Sequence, residues 1–234
     1  MKTAETDTQE PGAKKKASLA DILRRRILTM DMEPGAIIDE VAIGEEFGLS
    51  RSPVREQLRQ MAGEGYVELE PNRPPRVTGM SYHALREFYL VGPMIYIATT
   101  RLAAEKATPA DVARLRRVQA DFRKAIAEKD VEERVVANNE FHLQIGVIAR
   151  NDYLLPSLRR LLIDNGRIGR TFFRNSPEAM GQSDSACEHH DQIIDAIERH
   201  DPNAAESVIR AHFELSRKDM ADYAVPEGMN LAPL

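Results

Sequence analysis

Four residues in the C-terminal part of the chain have the side chains and the spacing of a transition-metal site. Asn138 and His142 are four residues apart, so a helix places them on one face. His190 and His212 follow in two later segments with helical periodicity. Three imidazoles and an amide oxygen that converge in a helical core would bind a divalent transition metal and leave space for a ligand or water.

The same residues are open to two other interpretations. A metal-dependent hydrolase would use the three histidines and a metal-bound water. No carboxylate stands in an evident general-base position beside them, although Glu140 and Asp191 are close in the sequence. The chain has six histidines, and a single histidine on a helix is more often a surface or core residue. The third interpretation is therefore a bundle that only dimerises, with structural histidines.

A second set of residues points to a different chemistry. Arginines recur every four residues in the segment GLSRSPVREQLRQMAGEGY and form one edge of a predicted helix: Arg51, Arg55 and Arg59. Its apolar residues fall on another face: Val54, Leu58 and Met61. Residues 39–47 indicate a shorter helix before it, with Gly48-Leu49 as the turn. This layout is typical of a helix-turn-helix DNA reader, although exposed arginines at this spacing are also common on a solvated surface.

The flanks of the arginine helix carry further signals. Ser50 and Ser52 are both possible N-caps, and Pro53 suits the first helical position. Residues 66–69 alternate like a strand, PNRPP is a turn, and residues 76–78 return as a second strand. Arg73 and Arg76 lie near the tip of this hairpin, which is therefore predicted to be a wing on the minor groove or the phosphate backbone.

Composition limits the class of protein without identifying its partner. The formal net charge is −5, and residues 1–80 carry 12 Lys and Arg against 14 Asp and Glu. Bulk charge thus gives no support to DNA binding, which depends on the local arrangement. Cys187 is the only cysteine, so no intramolecular disulfide can form. With no signal-peptide pattern and no apolar run near the roughly 20 residues of a membrane span, a cytoplasmic location is expected.

Residues 19–78 resemble the winged-helix domain of the GntR family of bacterial transcription regulators. The matching segments are LADILRRRILTMDMEPGAIIDE and EEFGLSRSPVREQLRQMAGEGYVELEP, with S-R-x-P-V-R-E at the centre. Val41 replaces an arginine and Pro74 a wing glycine that many members carry, which affects base preference. The resemblance and the arginine edge together predict these DNA-binding residues: Arg51, Ser52, Arg55, Arg59, Arg73 and Arg76.

Residues 83–223 resemble the FCD effector domain, the all-helical module of the FadR-type branch of that family. The shared patterns are N-x-x-F-H at 138–142, ARN at 149–151, H-x-x-I-x-x-A-I from residue 190, and A-x-x-x-I-x-x-H ending at residue 212. The resemblance implies a zinc, nickel or manganese ion on Asn138, His142, His190 and His212. Asn138 replaces the usual aspartate, so the metal should be held less tightly unless an anionic effector compensates.

The resemblance also bears on the effector and on the ligand set. Many members pair a carboxylate effector with an arginine at the position of Gly92. Either another arginine substitutes here, with Arg170 and Arg174 as candidates, or the effector is not bound in that way. Both are open to the alternative that they are surface charges. His189 and Cys187 are near His190, but His189 points about 100° away from it on a helix, which favours His190.

The predicted protein is mainly α, with a winged helix-turn-helix followed by an antiparallel helical bundle. Its predicted divisions are a disordered tail 1–16, a DNA-binding domain 17–78, a linker 79–81, an effector and dimerisation domain 82–225 and a tail 226–234. The bundle helices are predicted near 82–107, 110–128, 131–149, 152–174, 184–199 and 202–223, with kinks or ends at Pro93 and Pro156.

The sequence thus predicts a homodimeric transcription regulator that acts as a repressor. It is not expected to be an enzyme. Its two arginine helices would enter successive major grooves of a pseudo-palindromic operator in double-stranded DNA. A small organic acid bound at or near the metal would control it.

Overall fold

In the computed structural model, which describes residues 11–173 and 177–224, the chain is mainly helical, as predicted. Its elements are α1 (Pro11–Leu28), α2 (Glu40–Phe47), α3 (Arg51–Glu64), β1 (Val67–Glu68), β2 (Arg76–Val77), α4 (Tyr82–Lys106), α5 (Pro109–Ala127), α6 (Val131–Ile148), α7 (Leu154–Phe172), α8 (Pro177–Glu198) and α9 (Pro202–Ala224). The chain divides into two compact units at Gly79–Met80, and the segment Leu28–Met30 groups with the second unit. The division falls within the predicted linker.

The first unit packs three helices and a two-stranded sheet around one apolar core. Its buried residues come from α1, the segment before α2, α2, α3 and both strands: Leu19, Leu23, Ile27, Ile38, Ile43, Val54, Leu58, Met61, Val67 and Val77. The strands pair antiparallel, with Val67 opposite Val77. Asp39 caps α2, and its carboxylate accepts hydrogen bonds from the backbone N–H groups of Val41 and Ala42.

The N-terminal boundary of the first unit differs from the prediction. Helix α1 begins at Pro11, so residues 11–16, predicted as part of a disordered tail, are helical. The segment GAKKKA has no apolar periodicity, but alanine and lysine are strong helix formers, so the helix extends backwards through it. Residues 1–10 and the predicted tail 226–234 lie outside the described residues.

The second unit is the predicted antiparallel bundle of six helices, α4 to α9. Its core combines aromatic and aliphatic side chains from all six, including Phe88, Tyr96, Phe141, Ile193 and Phe213. Thr108 and Asp111 form the predicted capping box of α5. Asp130 caps α6, and the carboxylate of Asp201 accepts the first N–H groups of α9. No helix among the described residues is long and apolar enough to cross a bilayer.

Two helices depart from their predicted course. Helix α8 begins at Pro177, seven residues before the predicted 184, because small residues at helical spacing let it pack closely: Ala179, Ser183, Ala186 and Cys187 are all buried. Pro93 lies inside α4 without ending it. Packing of α4 against α6, α7, α8 and α9 keeps the helix continuous through the proline.

Candidate functional site

In the first unit, a close turn joins α2 to α3. Gly48 ends α2 with a left-handed backbone, φ 61°, and the N–H of Leu49 donates to the carbonyl of Gly44 at 2.8 Å. A Cβ added to Gly44 would lie 2.8 Å from the carbonyl oxygen of Leu49. Glycine is therefore required at both positions for the turn to close.

Helix α3 has a buried face and an exposed face, as its apolar spacing predicts. Val54, Leu58 and Met61 are at most 1% exposed. The predicted DNA-binding residues of the helix are all exposed: Arg51, Ser52, Arg55 and Arg59. The capping prediction needs correction, since Ser50 stands at the N-cap without a side-chain hydrogen bond and Pro53 is the third helical residue. Proline is tolerated there because the first four N–H groups of a helix have no intrahelical partner.

Most of the predicted DNA-binding arginines have acidic or carbonyl partners. The Nε of Arg55 donates to Glu40 at 2.8 Å, yet 55% of the arginine side chain stays exposed. The other pairs are Arg59 with Glu56, Arg73 with Glu70, and Arg76 Nη1 with the carbonyl of Gly35. Within the described part of the chain, Arg51 makes no hydrogen bond or ion pair. The arginine edge is thus open to solvent.

The wing is shorter than predicted, with two residues in each strand. Glu68 pairs with Arg76, and Ile37 forms an additional antiparallel bridge to Arg76. Asn72 takes a left-handed backbone, φ 60°, in the turn. Arg73 follows it with 69% of its side chain exposed. Both predicted wing arginines are therefore presented by a short, bridged hairpin.

In the second unit, three helices bring the predicted metal ligands together. Helix α6 carries Asn138 and His142, α8 carries His190 and α9 carries His212. One ligand atom from each histidine lies within 4.8 Å of the others. The Nε2 atoms of His142 and His212 are 3.2 Å apart. The structure places His190 in this cluster, whereas the ring of His189 is 5.9 Å from that of His212 and His189 is outside the group.

One pair in this histidine cluster, His142 and His212, has the separation of two ligands of a small divalent ion. Two nitrogens about 2.0–2.1 Å from a tetrahedral zinc would lie roughly 3.4 Å apart, close to the observed separation. The Oδ1 of Asn138 and the Nε2 of His190 are buried and accept no hydrogen bond from the described residues. Buried polar atoms without partners are costly, and a cation would satisfy the oxygen and the nitrogen together.

Burial sets the charge state of the cluster. It lowers the pKa of His142 to about 3. Burial, followed by repulsion from the neighbouring imidazoles, also lowers the pKa of His190 and His212 well below the usual histidine value. All three rings are consequently neutral at pH 7 and keep a lone pair, which is the form that binds a metal.

Gln119, which the sequence analysis missed, fixes the orientation of His190. The Nε2 of Gln119 donates to the carbonyl of Cys187 at 2.9 Å, so its Oε1 faces the Nδ1 of His190 at 3.0 Å. Because an amide oxygen only accepts, His190 carries its proton on Nδ1 and its lone pair on Nε2. A polar residue on the apolar face formed by Val112, Leu115 and Phe122 is the signal that could have found it.

A cavity of about 30 Å³ opens beside the cluster, enough for about two water molecules. Asn138, His142 and His212 line it together with aromatic residues that include Tyr96 and Phe213. Burial raises the pKa of Tyr96, whose hydroxyl has no partner among the described residues. No arginine or lysine is among the described residues that line it.

Of the two predicted effector arginines, only Arg170 can be compared with this cavity. Arg170 is half-buried but is absent from the lining, and Arg174 lies outside the described residues. At Gly92 an added Cβ would meet the ring of Phe213 at 2.7 Å. The ring of Phe213 therefore occupies the space that a side chain at position 92 would need.

Neither acid close to the cluster in sequence stands as a general base. Glu140 accepts a hydrogen bond from Gln144 at 2.6 Å, and Asp191 is paired with Arg123 and with Gln119. Cys187 is buried, which raises the pKa of its thiol and leaves it uncharged. The described residues around the cluster could hold a cation, and no activated nucleophile is found among them.

Comparison with known families assigns both units. Residues 15–77 match the model of the bacterial regulatory proteins, gntR family, and residues 94–215 match the FCD domain. The HTH-type transcriptional repressor RspR of Escherichia coli is 26% identical over 194 residues, which cover 82% of this chain and 83% of the relative. The HTH-type transcriptional regulator LutR of Bacillus subtilis is 25% identical over 202 residues, covering 78% of this chain and 90% of LutR.

Solved structures agree on the fold. McbR/YncC of E. coli has a TM-score of 0.74 at 19% identity and covers 89% of this chain and 96% of its own. A GntR transcriptional regulator from Rhodococcus sp. RHA1 has a TM-score of 0.70 at 19% identity, covering 90% of this chain and 99% of its own.

Proposed function

The chain belongs to the FCD-containing gntR family of bacterial regulatory proteins, and from this membership we propose that it is a homodimeric repressor controlled by a metal-bound small carboxylate. Like its relatives, it is a DNA-binding transcription regulator, and it is not an enzyme. The hydrolase interpretation has no support, since no carboxylate is placed as a base. We place its action in the cytoplasm, where bacterial DNA is found.

DNA reading is assigned to the exposed edge of α3 and to the wing. Arg51 and Arg55 would contact guanine edges or phosphates in the major groove, and Ser52 a phosphate. Arg59 and the two wing arginines would contact the flanking backbone. The open edge of α3 over a fully buried opposite face supports this assignment.

A homodimer requires a self-complementary surface, and α4 offers one. Leu90, Val91 and Met94 are large apolar residues on one side of α4, and they are 44%, 40% and 68% exposed. Apolar side chains at spacings of three and four are the pattern of a helix that packs on another helix. We propose that this stripe meets its own copy across a two-fold axis.

Replacing Met94 with lysine is expected to raise the dimer dissociation constant at least tenfold, because the two-fold axis places two charges in one interface. Analytical ultracentrifugation over a concentration series measures this. Tyr153→Lys is the matched control, since Tyr153 is 88% exposed but lies on the turn before α7. Equal dissociation of the two variants would contradict the proposed interface.

The effector site is assigned to the histidine cluster. The observation that carries the proposal is the buried, unpartnered Oδ1 of Asn138 on the same cavity as His142 and His212. Four neutral donors leave both charges of a divalent ion uncompensated, and a buried net charge is costly. A carboxylate would neutralise part of this charge and could accept a hydrogen bond from the hydroxyl of Tyr96.

The small cavity links effector binding to conformation. A volume of about 30 Å³ holds a metal with one or two water-sized ligands, so a larger carboxylate must displace the aromatic wall. Phe213 of α9 forms part of that wall. Effector binding would thus favour a conformation in which α9 has shifted, and a shift in population would release the operator.

A thermal-shift series tests the sensor. Short carboxylates at about 100 times their dissociation constant should stabilise the protein by about 2.7 kcal/mol, a rise of roughly 5–10 °C in Tm, and only with zinc, nickel or manganese present. His190→Ala should abolish the rise. Stabilisation by a carboxylate in a metal-free sample, or none with any metal, would refute the proposed site.

A further inference from the structure

Glu40 holds one end of the guanidinium that is assigned to base reading. Its Oε2 accepts from the Nε of Arg55 at 2.8 Å. The glutamate side chain is only 17% exposed, whereas that of the arginine is 55% exposed. The bond joins the first residue of α2 to the second helix of the helix-turn-helix, α3. It therefore orients the side chain of Arg55 and takes no part in the turn between the two helices.

The hydrogen bond uses the nitrogen that base recognition needs least. The Nη1 and Nη2 of Arg55 donate no hydrogen bond to any of the described residues. Arginine reads a guanine through two parallel N–H groups directed at O6 and N7. With Nε held by a carboxylate, the two η nitrogens remain as a fork at the exposed end of the side chain.

We propose that Glu40 is a positioning residue, which presents the Nη1 and Nη2 of Arg55 to a guanine edge and so favours the operator over other DNA. The inference rests on the proposed DNA-reading role of Arg55. A carboxylate near the phosphates also repels DNA of any sequence. Glu40 therefore raises specificity for the operator while it lowers affinity for non-specific DNA. Its removal should lower the specificity and raise the non-specific affinity.

The chain supplies a matched control in Glu56. It pairs with Arg59 at 3.0 Å within the same helix, and both side chains are about two-thirds exposed, at 66% and 65%. An exposed pair three residues apart restrains its arginine weakly. Glu56→Ala removes one negative charge from α3, the helix of Arg55, without releasing Arg55.

The test compares affinities of the full chain for an operator duplex, selected by the wild type from a random pool, and for a shuffled duplex at one salt concentration. Glu40→Ala should lower the operator-to-shuffled ratio about fivefold and raise affinity for the shuffled duplex about twofold. Glu40→Asp keeps the charge at the helix N-terminus but shortens the reach to Arg55. It should lower the ratio without the gain on the shuffled duplex, which separates positioning from charge and from misfolding.

Glu56→Ala should raise both affinities alike and leave the ratio unchanged. In an Arg55→Ala background, Glu40→Asp should no longer change the ratio. The inference is overturned if Glu40→Ala and Glu40→Asp leave the ratio within twofold of that of Glu56→Ala. An Arg55→Ala variant with wild-type affinity and ratio would instead overturn the proposed reading function.

Discussion

Arg55→Ala is expected to weaken operator binding by about 1–3 kcal/mol in each half-site, and hence by about 2–6 kcal/mol in a two-fold dimer. This corresponds to a loss of roughly 30-fold to 10⁴-fold in affinity. The variant removes a guanidinium that is 55% exposed and leaves the carboxylate of Glu40 unpaired towards the DNA. Fluorescence anisotropy with a labelled operator at fixed salt measures the change.

The size of this loss has to be separated from simple charge removal. Arg59→Ala is the comparison, because Arg59 is also more than half exposed on α3 but is assigned to the phosphate backbone. It should weaken binding to operator and shuffled DNA alike and reduce the salt slope by about 1. Folding stability should change by about 1 kcal/mol or less in both variants, since each arginine side chain is more than half exposed. Equal losses on both duplexes for Arg55→Ala would exclude base reading.

The DNA-reading unit was predictable because its signals are local. Val54, Leu58 and Met61 fix one face of α3 through spacing alone, and Gly48 and Gly65 mark helix ends through their left-handed backbones. The partners of the arginines were not predictable. Glu40 lies fifteen residues before Arg55, and only the angle between α2 and α3 brings them within 2.8 Å.

The histidine cluster shows the same division between local and tertiary information. The four-residue spacing of Asn138 and His142 indicates a shared helix face without any knowledge of the fold. Gln119 contacts His190 across seventy-one positions, so no local pattern reveals it. Arg170 lies on α7 but is absent from the lining, whereas Asn165 of the same helix and Tyr96 and Phe213 of α4 and α9 line the cavity. Helix periodicity places residues on faces, but packing decides which faces meet.

Asn138→Asp is expected to raise the affinity for a divalent metal at least tenfold, about 1.4 kcal/mol or more, in the absence of any carboxylate. The buried Oδ1 of Asn138 has no partner among the described residues, so a carboxylate oxygen could take its place without breaking a hydrogen bond. The substitution adds a negative charge to a set of neutral donors, and the metal then needs less compensation from an external anion. Isothermal titration calorimetry with and without acetate measures both effects.

The same substitution should make the variant less stable than the wild type without metal and more stable than the wild type with metal. A buried carboxylate without a metal is destabilising, so the metal-free variant should melt below the metal-free wild type, and the loaded variant above the loaded wild type. Asn165→Asp is the control, because Asn165 lines the same cavity but its amide donates to Asn139 at 2.7 Å. A charge there changes the field without adding a ligand, and the gain in metal affinity should be smaller. If wild-type metal affinity is insensitive to acetate and Asn138→Asp leaves it unchanged, Asn138 is not a ligand and the histidines alone determine the site.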